Sequence, residues 1–271
     1  MSSVLILSAA GISTLIASFL LWREVIKGHE MGSQAVGVIS ATALSLLILT
    51  YAGFTLGIIS HRGIEGTLLS SVIATTWFVQ GIYLLGLLKH GLRGLGLFLL
   101  PITALALLIS AFLPHEEVIY WIPTSSLLDT GHLLISLIAY ALMTIAALHA
   151  VMYLLVDRML KRKKISLLMQ SMPSLFDMET YMCAQLLWAV VLLGISILSG
   201  LLWQWVDFHH FALLSHKVLL AFFAFIILLT VVLKRKRAGW YGRRTSQMIL
   251  GAYALLLLAY FGVKIIHSFT G

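Results

Sequence analysis

Ten histidines are spread unevenly along this 271-residue sequence, and imidazole is the side chain here with the widest chemistry. His61, His115, His132, His209, His210, His216 and His267 fall at or beyond the ends of apolar runs on one side of the alternating chain. Only His29 and His90 lie in the opposite loops, and His149 lies inside an apolar run. Histidine is largely neutral at pH 7, so charge-driven topology gives it no preference for that side. Neutral imidazole is the usual ligand for haem iron and for Zn, Cu or Ni. Three of these histidines stand at helix ends. His132 follows Asp129-Thr130-Gly131, His216 precedes Lys217, and His267 closes the last apolar run. A helix end holds a ligand rigidly and leaves it open to water. Two such histidines on facing helices would clamp a haem from both faces; singly, such a histidine is more often an interfacial residue bonded to water or headgroups.

Between them, Leu201–Lys217 reads LLWQWVDFHHFALLSHK, with Trp203, Trp205, two Phe, Asp207 and three His in one outer loop. Interfacial aromatics commonly form a belt, and interleaved with histidines they would also floor a flat macrocycle. His149 lies 17 residues past His132, about 25 Å along a helix axis. One iron cannot reach both. His149 serves either a second, inner site or close packing among Ala146, Ala147 and Ala150. No HExxH, Walker lysine motif, GxSxG or carboxylate pair on one span is present. The ten acidic residues fall almost entirely in loops. Without an acid in mid-membrane, an ion-driven pump is disfavoured. Cys183 is alone, which excludes an internal disulfide and CxxC chemistry.

The elements that position these residues follow from composition. Apolar residues make up 61% of the chain and charged ones 10%, against roughly 25% charged in an ordinary soluble domain. Such a chain needs the bilayer as solvent. The apolar runs are continuous rather than alternating, which selects helices over barrel strands. Spans are expected at about 4–22, 35–57, 68–88, 94–113, 130–156, 181–203, 212–233 and 246–266. This is an all-α polytopic membrane protein of about eight helices, a single transmembrane domain over 1–271. Pro101 inside the fourth span is expected to kink it. Ile165–Pro173 reads as a short amphipathic helix on the membrane surface or as a helix extension.

Charge sets the orientation. Arg23, Lys27, Lys89, Arg93, Arg158, Lys161, Arg162, Lys163, Lys164, Lys234, Arg235, Lys236, Arg237, Arg243 and Arg244 share one set of alternate loops. Only Arg62, Lys217 and Lys264 fall in the other. The basic loops are therefore expected in the cytoplasm and both termini outside, in the periplasm of a bacterial inner membrane. The net charge of +8 thus reflects orientation in a bilayer, not nucleic-acid binding. No positive charge precedes the first apolar run, so that run is expected to be a retained helix.

The stretch His132–Val156, HLLISLIAYALMTIAALHAVMYLLV, resembles the first haem-histidine helix of the cytochrome c assembly (CcsA/CcmC) superfamily. Ser174-Leu175-Phe176-Asp177, leading to Ile197-Leu198-Ser199-Gly200-Leu201-Leu202-Trp203, resembles its sequel. Tyr260–Phe269, with His267 before Ser268 and an aromatic, resembles its C-terminal end. The resemblance covers roughly 125–271, most like the short YpjD/HemX-like inner-membrane branch; residues 1–125 match only as apolar helices. It implies haem as cofactor, held on the outer surface by the residues matching the family's two histidines, His132 and His267. His216 would be an extra ligand, and Trp203 and Trp205 would belong to the haem-facing loop. It also implies cytochrome c maturation components as partners. The family's WGxxWxWD loop is not retained at Leu202–His210, so haem-lyase activity is not expected.

Three functions follow from this reading. The first is haem binding and handling on the outer side. The second is divalent metal (Co/Ni) transport or efflux, with the outer histidines as release-side ligands. The third is membrane regulation of tetrapyrrole synthesis, in which the Lys161–Lys164 and Lys234–Arg237 clusters dock an acidic partner or anionic lipid.

Overall fold

The computed structural model of the chain describes residues 3–27, 35–60, 63–65, 67–87, 94–112, 121–122, 126–163, 169, 171–208 and 216–262. Eight α-helices account for most of them: α1 (Ser3–Lys27), α2 (Ala35–Thr55), α3 (Leu68–Gly86), α4 (Gly96–Ala111), α5 (Leu127–Lys161), α6 (Leu175–Phe208), α7 (His216–Ala238) and α8 (Arg243–Leu257). A π-helical turn, Leu258–Gly262, continues α8. Six of the eight are long and apolar enough to cross a membrane, and α4 is a shorter apolar helix of 16 residues. The helix count and the all-α membrane class agree with the sequence reading.

Two lengths differ from it. α5 has 35 residues and α6 has 34, near 50 Å each at 1.5 Å per residue, where about 30 Å of hydrocarbon needs bridging. Their polar ends therefore project beyond the apolar span. At one end of α5 a capping box secures the first turn: Asp129 N–H donates to Ser126 Oγ at 3.0 Å, and Ser126 N–H to Asp129 Oδ2 at 3.3 Å. At the other end Lys161 pairs with Asp157 at 2.8 Å. These extensions correct the placement of the acids. Glu24, Asp157, Asp177 and Glu179 all lie within helices, toward the basic ends, rather than in loops. The Ile165–Pro173 stretch lies largely outside the described residues.

Two cores share one helix. The first joins α1, α2, α3 and α4 to one side of α5 through Leu21, Val38, Tyr83, Leu99, Ile145 and Met152. The second joins the other side of α5, through Ala139, Met143 and Ala150, to Leu186 and Leu193 of α6, Leu228 of α7 and Ile249 of α8. α5 is thus covered on both flanks, as a helix apolar on every side requires. A small antiparallel sheet was not expected from sequence. β1 (Ile59–Ser60), β2 (Gly63–Glu65) and β3 (Trp121–Ile122) pair Ile59 with Ile64 and Ile64 with Ile122. It ties the α2–α3 connection to the chain segment before α5.

Several polar groups within the spans are paired across helices, as a lipid surround favours. Thr14 Oγ1 donates to Ala10 O at 2.9 Å and meets Ser45 Oγ at 2.8 Å, and the Gln80 amide donates to Thr14 Oγ1 at 3.1 Å. Pro101 lies inside α4 and supplies no N–H to the carbonyl four residues back, that of Leu97. The Trp22 indole of α1 donates to that oxygen at 3.2 Å. Proline in one helix is thereby matched by tryptophan in its neighbour. Trp22→Phe should cost about 1–3 kcal/mol of stability by leaving the Leu97 carbonyl without its donor. The same change in a Pro101→Ala background, where the backbone N–H is restored, should cost much less. A double-mutant cycle by denaturant titration in micelles checks this; equal costs in both backgrounds would refute the pairing.

Candidate functional site

The candidate site grows from the seam between α5 and α6. Along α5 the seam positions are His132, Ser136, Ala139, Met143, Ala146 and Ala150; along α6 they are Met182, Leu186, Ala189, Leu193, Ser196 and Gly200. Both series step by four and three residues, the repeat that keeps one stripe of a helix facing its partner. Small residues on both helices allow close approach. Ser136 Oγ and Ser196 Oγ meet at 2.6 Å, and this contact fixes the antiparallel register. The same register sets His132 against Ser199 and Gly200 at one end.

The hydrogen bonds at that end assign the imidazole's atoms. His132 Nδ1 lies 2.9 Å from Ser199 Oγ. Ser199 Oγ commits its single proton to Ser196 O at 3.0 Å. With that bond made, the imidazole would supply the proton in the Nδ1–Oγ contact. Nε2 would then be a bare lone pair, the form in which histidine binds a metal while its other nitrogen is held by a second partner. Gly200 makes room for the ring: a Cβ built there would stand 2.9 Å from Cε1 and 3.5 Å from Nε2. The side chain is half-buried, which keeps it reachable from the end of the bundle.

Trp203 is one turn beyond Ser199 and on nearly the same side of α6, since four residues advance the helix by about 400°. Trp205 falls roughly on the opposite side and is 50% exposed. The structure therefore brings His132, Ser199, Gly200 and Trp203 into line and turns Trp205 outward, where a membrane-belt role suits it. His216 begins α7, but its side chain lies outside the described residues; so do His61, His115, His209, His210 and His267. Below His132, α8 is bolted to α5 by aromatic contacts. Tyr253 OH meets Thr144 Oγ1 at 2.9 Å, and the Tyr140 and Tyr260 rings have centroids 5.0 Å apart.

His149 is separate from this site. It is wholly buried, its Nδ1 is 3.1 Å from Ile145 O, and its Nε2 has no hydrogen-bond partner among the described residues. The Tyr181 ring lies 6.4 Å away, centroid to centroid. Among the described residues no three His, Cys, Asp or Glu side chains converge in a way that could hold a metal ion. Sequence reasoning passed over Ser136, Ser196, Ser199 and Gly200 as site residues. Their signal was present as small residues at four–three spacing on two consecutive spans, and that pattern becomes informative only once the two stripes face each other.

The assigned tautomer is directly measurable. In ¹⁵N spectra, His132 should show a protonated Nδ1 and a bare Nε2, and Ser199→Ala should shift the population toward the Nε2–H form. An unchanged His132 signal in Ser199→Ala would show that the serine does not hold the ring.

No solved structure matches the chain. The inner membrane protein YpjD of Escherichia coli (strain K12) is 32% identical over 182 residues, 65% of this chain and 66% of that protein. The chain thus spans just under two thirds of the length of that relative. Protein HemX of Brevibacillus brevis is 29% identical over 233 residues, 83% of this chain and 85% of its own length. The profile of the cytochrome c assembly protein family matches residues 66–270, which takes in α3 to α8, the His132 seam and the segment holding His267. On the extent of that match, the chain belongs to the cytochrome c assembly protein family.

Proposed function

We propose that this protein binds and hands on haem at the extracytoplasmic end of a bacterial inner-membrane helix bundle, in support of cytochrome c maturation. One observation carries the reading. At the end of the α5–α6 seam His132 has its Nδ1 anchored on Ser199 Oγ and its ring accommodated by Gly200, the arrangement that would leave Nε2 as a ligand lone pair. That donor suits haem iron, and the Trp203 side of α6 supplies apolar surface for a macrocycle. Bound haem would bring iron redox and ligand-exchange chemistry; the chain itself provides axial ligation, orientation and shelter from water.

His267 is the proposed second ligand. α8 runs antiparallel to α5 with Tyr260 beside Tyr140. His267 follows Tyr260 by seven residues, and His132 precedes Tyr140 by eight. The eight α5 residues from Tyr140 back to His132 span about 12 Å toward the His132 end, and the sequence after Tyr260 leaves the described part of α8 heading the same way. His216, at the start of α7, is proposed as an alternative ligand during transfer. The excess of Lys and Arg at the opposite end supports a periplasmic placement of this end and of both termini, and the likeness to an inner membrane protein of Escherichia coli favours an inner membrane. The departure of Leu202–His210 from the family's Trp-rich loop favours carriage of haem over its covalent attachment.

The test is an absorption spectrum. Protein purified from haem-replete cells, or titrated with hemin, should show a Soret band. His132→Ala and His267→Ala should each weaken hemin binding by about tenfold or more and alter the axial-ligand signature by electron paramagnetic resonance, whereas His149→Leu should leave both intact. A colourless wild type that takes up no hemin would overturn the proposal. Loss of the band in His149→Leu with retention in His132→Ala would move the site to the membrane interior.

A further inference from the structure

The tight turn between α7 and α8 lies at the end of the bundle opposite His132, and its charges exceed what orientation alone requires. Lys234, Arg235, Lys236 and Arg237 close α7, and Arg243 and Arg244 open α8. Six cations therefore flank four residues, Gly239-Trp240-Tyr241-Gly242. Neither helix contributes an acid. Two acids come to this end, Glu179 of α6 and Asp157 of α5, the latter one turn beyond the Tyr153 that packs against Gly242. Asp157 pairs with Lys161, so the six cations still outnumber the acids near them.

The turn is rigid and presents these charges in an ordered way. Gly239 and Gly242 adopt φ of 62° and 63°, a conformation costly for other residues. Thr245 Oγ1 donates to Trp240 O at 3.1 Å, and Ser246 Oγ to Gly242 O at 3.1 Å, so the first turn of α8 fastens the loop. The Arg244 guanidinium stacks 3.9 Å above the Trp240 ring, and Arg235 lies 5.5 Å from the Tyr241 ring centroid. Stacking occupies the face of a guanidinium and leaves its N–H edge free for bidentate bonds to phosphate oxygens. Lys234, Arg237, Arg243 and Arg244 are exposed.

The sign of the charge at α8 is the telling feature. A helix N-terminus carries a partial positive charge and favours acids. Here the first turn holds two arginines, no acidic residue, and a Gly242 cap that offers no side-chain acceptor. The arrangement is electrostatically unfavourable until an anion neutralises it. Positive-inside orientation needs only basic residues near the span; it does not need them stacked on aromatics around a clamped glycine turn. The site also faces lipid, with Tyr241 and Leu233 at 57% and 48% exposure beside it.

We propose that the α7–α8 turn is a headgroup site for an anionic phospholipid of the leaflet at the basic end, its phosphodiester held between the Arg243–Arg244 pair and the cationic end of α7. The acyl chains lie along the apolar surface next to the turn. This does not depend on haem binding at the far end.

The full chain, stripped of lipid in a zwitterionic detergent, is incubated with phosphatidylglycerol, diphosphatidylglycerol or phosphatidylcholine, and bound lipid is counted by native mass spectrometry. Inorganic phosphate serves as the soluble competitor. The wild type should retain the two anionic lipids and not phosphatidylcholine, and millimolar phosphate should not displace them. Arg243→Gln/Arg244→Gln should lose about tenfold or more in affinity, and Trp240→Leu, which keeps every charge but removes the stack, should also weaken binding. Arg162→Gln/Lys163→Gln, at the other basic cluster, should bind as the wild type does. Equal losses in both double variants would show diffuse attraction and overturn the site. Displacement by inorganic phosphate would assign it to a soluble anion instead, and binding by none of the lipids would dismiss it. Each variant is first checked for wild-type elution and helicity, and Trp240→Leu gives a second reading should the arginine pair fail to fold.

Discussion

The close approach of α5 and α6 is the constraint on which the rest of the molecule depends. In a bilayer, lipid tails are as apolar as leucine, so helices gain little by merely hiding hydrophobic surface from one another. They associate where shape and hydrogen bonds allow the backbones near. Ser136 against Ser196 at 2.6 Å, with Ala139, Ala146, Ala150 and Ala189 along the same stripe, provides that nearness. The Ser136–Ser196 contact also makes the pairing directional, because a one-residue slip would part the hydroxyls and leave polar atoms facing hydrocarbon. The position of His132 follows from this register. The ring sits over Gly200 because the serine pair one turn below admits no other alignment.

α5 transmits that constraint to both halves of the bundle. Its other flank, through Ile145 and Met152, is built into the core of α1 to α4. The N-terminal half therefore buttresses the helix that carries the candidate ligand. This gives the first half of the chain a mechanical role although it contributes no ligand to the proposed site. The tyrosine contacts from α8 act in the same sense at the other edge. Tyr253 on Thr144 and Tyr260 on Tyr140 fix how far α8 rises beside α5. The π-helical turn at Leu258–Gly262 admits an extra residue at that point, as such turns often do near functional sites.

The two ends of the bundle solve opposite electrostatic problems. At the His132 end, a polar side chain must be directed, and the contact of Nδ1 with Ser199 Oγ does this. At the opposite end, cations accumulate to orient the chain, and their mutual repulsion is relieved by stacking on Trp240 and Tyr241 and, in our reading, by lipid phosphate. Between these ends, some polar groups are paired across helices, as the Trp22 indole is with the Leu97 carbonyl four residues before Pro101.

Composition and charge patterning determined the class. Eight helices, the all-α membrane class and the segregation of histidine from Lys and Arg are legible in apolar runs and loop charges, because burial in lipid constrains every residue of a span individually. The ends of α5 and α6 were less legible, since a capping box and an i,i+4 ion pair extend helices into water where hydropathy no longer reports them. His132 was recognisable as a candidate from its type and its place at a helix start. Which of its nitrogens is free was not, because that depends on Ser199 and Ser196, 60 to 70 residues away in sequence. Likewise Pro101 announced a defect in α4, but only the packing of α1 revealed what fills it. Local periodicity is written in each segment separately, whereas the register between two helices and the proton on an imidazole are properties of pairs, and the pairs exist only in the folded bundle.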